Sequence, residues 1–412
     1  MAMKLCWIKA GGFVPLDFGG RIRSFQMVKE LARRHSVTVL TFYPAVDDDP
    51  HQEIAPLFEE LITVPLQLPE KKSLGEYLDY LRLLPARHAY SMQKYYRPEL
   101  RKAVAKLFAR KSFDAIICDF VYPAGVLDWK SETPIVLFTH NVEAEVWERQ
   151  YQVSKDPIRK LMFALEYVRL KRSERYYAER AARVLAVSES NRQFFGRYVG
   201  GAERVTLVPT GVDTDYFRPV PEASRDRNLV FTGSMDWPPN HDAMEYFYRE
   251  ILPLIRVEEP EVEVWMVGRK PPASLTRLVK GDPKVHLTGR VEDVRPFIDQ
   301  SSVYVLPMRT GSGTRLKVFE AMASGKAIVS TPVGAEGLPV THGGNLMLAS
   351  EPAEFAKAVI QLVRDVELRR HIEAGARALV ERGFSWRAAT DRLEEAVATA
   401  VRDTANLKVG AY

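Results

Sequence analysis

At 412 residues the chain is longer than one hydrophobic core normally supports, so two domains of about 150 to 200 residues each are expected. With 46% hydrophobic and 27% charged residues it has the composition of a folded globular protein, which excludes disordered and fibrous classes. A net charge of +5 admits an anionic partner, whether a nucleotide sugar, an anionic lipid surface or a nucleic acid, without choosing among them.

The first apolar stretch, Leu5 to Ala10, is too short for a signal-peptide core, and no apolar run reaches about 18 residues, so a cytoplasmic protein without a membrane span is expected. Cys6 and Cys118 fall in apolar runs and not in a metal-ligand spacing, which fits a reducing compartment. Strand candidates of the first half are Lys4 to Lys9, Val37 to Phe42, Ala115 to Cys118, Ile135 to Thr139 and Val184 to Val187, with helices between them. Gly11, Gly12, Gly19 and Gly20 separate the first strand from a helix around Arg23 to Arg34, a loop able to bring backbone close to a ligand. Asp119, Thr139-His140-Asn141 and Ser188 to Asn191 each follow a strand, where a doubly wound sheet collects ligands.

Arg149 to Arg183 interleaves ten basic residues with aromatics and reads as one or two helices. It is a candidate for peripheral contact with an anionic membrane; the plainer reading, given Glu166, Glu174 and Glu179, is a solvated helix with i, i+4 pairs. Proline, glycine and charge then cluster from Val208 to Arg227, which marks a domain boundary near residues 205 to 225. The second half repeats the alternation, with strands at Asn228 to Gly233, Val262 to Val267, Val285 to Thr288, Val303 to Pro307, Ala327 to Ser330 and Leu346 to Ala349. Basic residues are dispersed and carry no nucleic-acid-binding motif, so nucleic acid is not an expected partner.

The run Leu306 to Gly325 carries the most chemistry. A strand ends at Pro307, the loop Gly311-Ser312-Gly313 follows, and a helix is expected to start near Thr314, which can cap it. Arg315 and Lys317 sit in the first turn, where cations oppose the helix dipole unless an anion offsets them. A diphosphate suits that place. Residues 313, 317 and 320 share a face, so Glu320 can reach a ribose diol while the helix start holds phosphate; otherwise Glu320 merely supports Lys317 on a surface helix.

Several segments in order now resemble the retaining glycosyltransferases of the GT-B fold, and the resemblance spans most of the chain. They are Val208 to Phe217, Val267-Gly268, Leu287 to Val291 and Glu320 to Thr331. Two departures stand out: Ser312 occupies the position of the family's first glutamate, and Thr232 to Asn240 lacks the frequent Gly-Arg pair and diphosphate lysine. The loop 311–317 is similar to that of a subgroup of bacterial polysaccharide and PEP-CTERM-associated sugar transferases, which implies that Arg315 and Lys317 take over the phosphate charge.

The resemblance implies an α/β fold of two Rossmann-like, doubly wound parallel-sheet domains facing across a cleft. Residues 1–205 would form the acceptor side and 206–412 the donor side, with the last helix a candidate to pack back on the first domain. His140, Arg315 and Lys317 would be catalytic. Donor binding would fall to Gly19, Gly20, Gly233, Ser234, Arg290, Val291, Gly311, Ser312, Gly313, Thr314 and Glu320. The donor is expected to be a nucleoside diphosphate sugar, uridine before guanosine, and the acceptor a hydroxyl of a glycan, a lipid-linked or a small molecule. No cofactor is expected, metal included: no Asp-x-Asp lies near the donor loop, and Asp47-Asp48-Asp49 reads as a solvated turn. A non-catalytic nucleotide-sugar binder and a GT-B epimerase or phosphorylase are the alternatives.

Overall fold

The computed structural model describes residues 2–16, 19–43, 49–69, 73–154, 156–220, 228–310 and 316–409. It divides into two compact units, Met1–Pro209 with Ala389–Tyr412, and Thr210–Ala388. In the first unit seven parallel strands, β1 (Lys4–Ala10), β2 (Ser36–Tyr43), β3 (Glu60–Pro65), β4 (Ala115–Asp119), β5 (Ile135–Phe138), β6 (Arg183–Ala186) and β7 (Val205–Leu207), are ordered β3-β2-β1-β4-β5-β6-β7. In the second, β8 (Leu229–Thr232), β9 (Val264–Val267), β10 (Val285–Leu287), β11 (Val303–Leu306), β12 (Ala327–Ser330) and β13 (Met347–Leu348) are ordered β10-β9-β8-β11-β12-β13, again parallel. Both are the Rossmann-like α/β arrangement, and their apolar runs are continuous because helices cover both faces of each sheet.

Two strands escaped the sequence reading. Glu60-Leu61-Ile62-Thr63-Val64-Pro65 is an edge strand that is only partly buried and ends in proline, so it lacks the solid apolar run of the others. Val205–Leu207, three residues long, was absorbed into the expected linker, yet it pairs with β6 and completes the first sheet.

The basic segment forms two helices, Glu143–Val153 and Pro157–Arg180. The second begins with Asp156, whose carboxylate accepts from the backbone N–H of Ile158 and Arg159, and with Pro157 in its first turn. Glu166 and Glu174 are not solvated, against expectation. Glu166 accepts from the backbone N–H of Tyr90 (2.7 Å) and Ser91 (3.1 Å), and Glu174 from those of Glu143 (2.7 Å) and Ala144 (3.2 Å). Each therefore caps the start of another helix from outside, satisfying donors that have no partner within that helix. Of the three glutamates only Glu179 makes the exposed i, i+4 pair, with Arg175.

The last helix, Trp386–Val409, starts in the second unit and from Ala389 onward belongs to the first, where Leu393, Val397 and Ala400 are buried and Arg34 meets Asp391 and Glu394. No helix among the described residues is long and apolar enough to cross a membrane.

Candidate functional site

In both sheets the chain order reverses beside the first strand, between β1 and β4 and between β8 and β11. Helices leave to opposite faces at such a point, opening a crevice at the strands' carboxyl ends where ligands bind in doubly wound sheets. In the second unit the crevice is bordered by Gly233, which follows β8, and by Pro307 to Thr310, which follow β11. Gly268, after β9, lies so near Gly233 that a Cβ on it would come 1.8 Å from the Gly233 carbonyl oxygen; only glycine permits this approach.

Lys317 reaches this point. Its Nζ donates to Asn240 Oδ1 (2.7 Å) and lies 4.1 Å from the centre of the Phe231 ring. A Cβ on Gly233 would come 2.6 Å from the same Nζ, so the missing side chain at 233 is what makes room for the cation. Asn240, buried in the first turn of the helix Pro238–Tyr246, also donates through Nδ2 to the Ser234 carbonyl (2.9 Å), which fixes its amide orientation and presents oxygen to Lys317. Ser234 Oγ accepts from Arg269 Nε (2.8 Å) and donates to Asp236. A second cation is thereby brought to the strand ends, although the sequence reading gave Arg269 no role; its signal was an arginine directly after a strand-end glycine.

Glu320 lies one turn beyond Lys317. Burial pushes its carboxyl up to about 7 against the opposing pull of Lys317. That carboxyl group makes no hydrogen bond among the described residues, whereas the backbone carbonyl of Glu320 accepts from Ser324 N. Val291 packs on the core of the unit, while Arg290 is exposed beside it, after the positive-φ Gly289. Gly311, Ser312, Gly313, Thr314 and Arg315, and with them the expected helix start, lie outside the described residues.

In the first unit Gly19 and Gly20 form the opening turn of the helix Gly19–Ala32, while Gly11 and Gly12, directly after β1, have positive φ. His140, two residues past β5, is buried. Its Nε2 lies 2.7 Å from Asp119 Oδ1, and its ring stacks on Phe120 at 3.9 Å. Phe120 adopts a φ of 66°, an uncommon conformation for a bulky side chain, and this swings its ring between His140 and Lys9, whose Nζ is 4.6 Å from the ring centre. Arg23, fully buried, donates to the carbonyls of Thr139 and Val208 and so fixes the turn before His140.

Asp119 ends β4. Its Oδ2 accepts from Trp7 Nε1 (2.9 Å) and faces Lys9 Nζ at 3.4 Å. Burial alone would raise this carboxyl, yet Lys9 and His140 hold it down at about 2. Burial pushes His140 down to about 3, more than Asp119 restores, so the ring is neutral at physiological pH. Ser188, the other strand-end candidate, caps the helix Glu189–Val199 by accepting from Asn191 N.

Residues 19–216 match the Glycosyltransferase Family 4 model, and residues 226–365 match the model of Glycosyl transferases group 1. The chain is 28% identical over 222 residues to a phosphatidyl-myo-inositol mannosyltransferase of Mycolicibacterium smegmatis, a match covering 52% of this chain and 56% of that one. An uncharacterised protein from the cps region of Klebsiella pneumoniae is 20% identical over 385 residues, 90% of this chain and 93% of its own. Among solved structures, Anabaena HepE in complex with UDP and glucose superposes with a TM-score of 0.66 at 16% identity, over 96% of this chain and 100% of that one. The sucrose-phosphate synthase of Thermosynechococcus elongatus gives 0.69 at 19% identity, over 95% and 98%.

Proposed function

For this chain, which is a glycosyltransferase of the GT-B fold, we propose transfer of a sugar from a uridine diphosphate donor to an acceptor hydroxyl with retention of anomeric configuration. The observation that carries the reading is the cation of Lys317 set against Gly233 at the strand-order reversal of the second unit, with Glu320 one helical turn away. That pairing suits a diphosphate at the glycine and a ribose diol at the carboxylate. Uridine is favoured by the relative solved with UDP and glucose; a guanosine diphosphate donor is the second choice.

In this mechanism the acceptor oxygen attacks the anomeric carbon from the face the diphosphate leaves. The bond from that carbon to the phosphate oxygen breaks through an oxocarbenium-like state, and the hydroxyl proton passes to the departing phosphate. The main demand is then charge stabilisation on the leaving group, which fixed cations and amides supply most strongly where water is excluded. Lys317 is assigned to that charge, together with Arg315 and the amides of Gly311 and Gly313, with no metal required. His140 is assigned to the transferred sugar.

Lipid-linked or glycan hydroxyls are the proposed acceptors, and the cytoplasmic face of a membrane the place of reaction. On the helix Pro157–Arg180, Ile158 and Leu161 are exposed beside Arg159 and Lys160, a combination that suits an anionic headgroup layer. A thermal-shift panel of nucleoside diphosphates, followed by transfer assays with and without a chelator, tests the donor reading. Stabilisation by no nucleoside diphosphate would refute it; a shift without transfer to any hydroxyl acceptor would leave a binding protein. Sedimentation with anionic vesicles at low and physiological salt tests the membrane contact, which absence of pelleting at both would remove.

A further inference from the structure

His140 Nε2 faces Asp119 Oδ1 at 2.7 Å, and a carboxylate can only accept, so the neutral imidazole must carry its proton on Nε2. Nδ1 is then a bare lone pair. It is buried and has no hydrogen-bond partner among the described residues. A buried acceptor without a donor carries its desolvation cost uncompensated, which suits a ligand that supplies the donor.

We propose that Asp119 is a positioning residue which, held by Trp7 and Lys9, locks His140 in the Nε2-protonated tautomer and so presents Nδ1 as an acceptor for a hydroxyl of the bound sugar. The proposal rests on the assignment of His140 to the sugar. The surroundings of Asp119 make it specific. Trp7 Nε1 is a donor and nothing else, and it points at Oδ2 from 2.9 Å, with Lys9 Nζ behind it at 3.4 Å. Ser24 Oγ has the Gly20 carbonyl (2.8 Å) and the Asp119 carboxylate as acceptors for its proton, and its oxygen, 3.5 Å from His140 Nε2, remains able to accept.

In Asp119→Asn the amide oxygen must therefore stay at the Oδ2 position, because an amino group there would confront two donors. The amino group falls at the Oδ1 position, donates toward His140 Nε2, and forces the imidazole proton to Nδ1. One isosteric substitution thus inverts the polarity of the atom that faces the ligand.

The test is the tautomer itself, read from the ring nitrogen shifts of histidine-labelled protein, with His140 assigned by loss of its signals in His140→Gln. In wild type Nε2 should be protonated and Nδ1 bare, without titration from about pH 5 to about pH 8. Asp119→Asn should show the reverse pattern, with transfer reduced at least about tenfold and nucleoside diphosphate affinity unchanged. Protonated Nδ1 in wild type, or an unreversed tautomer in Asp119→Asn, would overturn the lock. A reversed tautomer with undiminished transfer would overturn the role of Nδ1 and remove His140 from the reaction, without touching the assignment of Lys317 to the donor. If the variant does not fold, the wild-type spectrum still decides.

Discussion

Removing the charge of Lys317 while keeping its stem is the sharpest test of the donor site. Lys317→Met preserves an unbranched chain over the Phe231 ring, which the ammonium now approaches to 4.1 Å, and deletes the cation beside Gly233. Two unit charges about 4 Å apart at an effective dielectric constant of about 20 interact by about 4 kcal/mol, an upper value for one cation on the leaving diphosphate. Removal of a single preorganised oxyanion donor in other enzymes costs about 3 kcal/mol. Turnover should therefore fall by about a hundredfold to a thousandfold. Stability should change by less than about 1 kcal/mol, because the side chain is partly exposed and methionine keeps its apolar stem in place while the hydrogen bond to Asn240 is lost. Steady-state kinetics with saturating donor, alongside urea unfolding, separates the two effects. Turnover within about threefold of wild type, in a variant of unchanged stability, would refute the assignment of this cation to the leaving group.

Glu320 gives a pH signature: a carboxyl at about 7 in the free protein that accepts from a ribose diol is drawn to its ionised form by the ligand, so binding of a nucleotide sugar should strengthen as pH rises through 7. Calorimetry across that range should show this in wild type and not in Glu320→Gln. Glu174, raised to about 8 by burial and then by the charge of Glu143, binds its proton more tightly folded than unfolded. Its contribution to stability is fully present below its ordinary value of 4.5 and lost as pH rises through 8, so urea midpoints should decline over that window and decline less in Glu174→Gln. Gly268→Ala, with a Cβ driven into the Gly233 carbonyl, should cost about 2 kcal/mol or more and weaken donor binding by displacing Gly233; wild-type melting and affinity would contradict the close approach.

The α/β alternation was legible because each central strand is an unbroken β-branched or apolar run, as in Val303–Leu306, and all six strands of the second unit could be placed. The two misses, Glu60–Pro65 and Val205–Leu207, lie at the two edges of the first sheet, where partial burial weakens the pattern. Lys317 and Gly233 were found from local motifs, but their mutual approach is tertiary and could not be read from a separation of 84 positions. The same holds for Asn240, Arg269 and the Trp7–Lys9–Asp119 cluster, whose members come from β1 and β4, far apart in the chain, and meet only once the sheet order is known. Glu166 and Glu174 were misread because a carboxylate that caps another helix is indistinguishable, along its own helix, from one facing water.

Arg377 bears on how the donor helix meets its ligand. From the helix Val366–Gly383 its guanidinium donates to the carbonyl of Ala323, the last residue of the helix Leu316–Ala323, and also to those of Phe217 and Thr214. A cation at the carboxyl end complements the helix dipole there and leaves the opposite pole to an incoming anion. The helix is therefore anchored at its far end before any ligand arrives. Little of an anion's binding energy need be spent on orienting it, and that saving is what preorganisation contributes to affinity. An exchange of Arg377 for lysine, which cannot span three carbonyls with one planar fork, would loosen this anchorage some two helical turns away from the residues that meet the ligand.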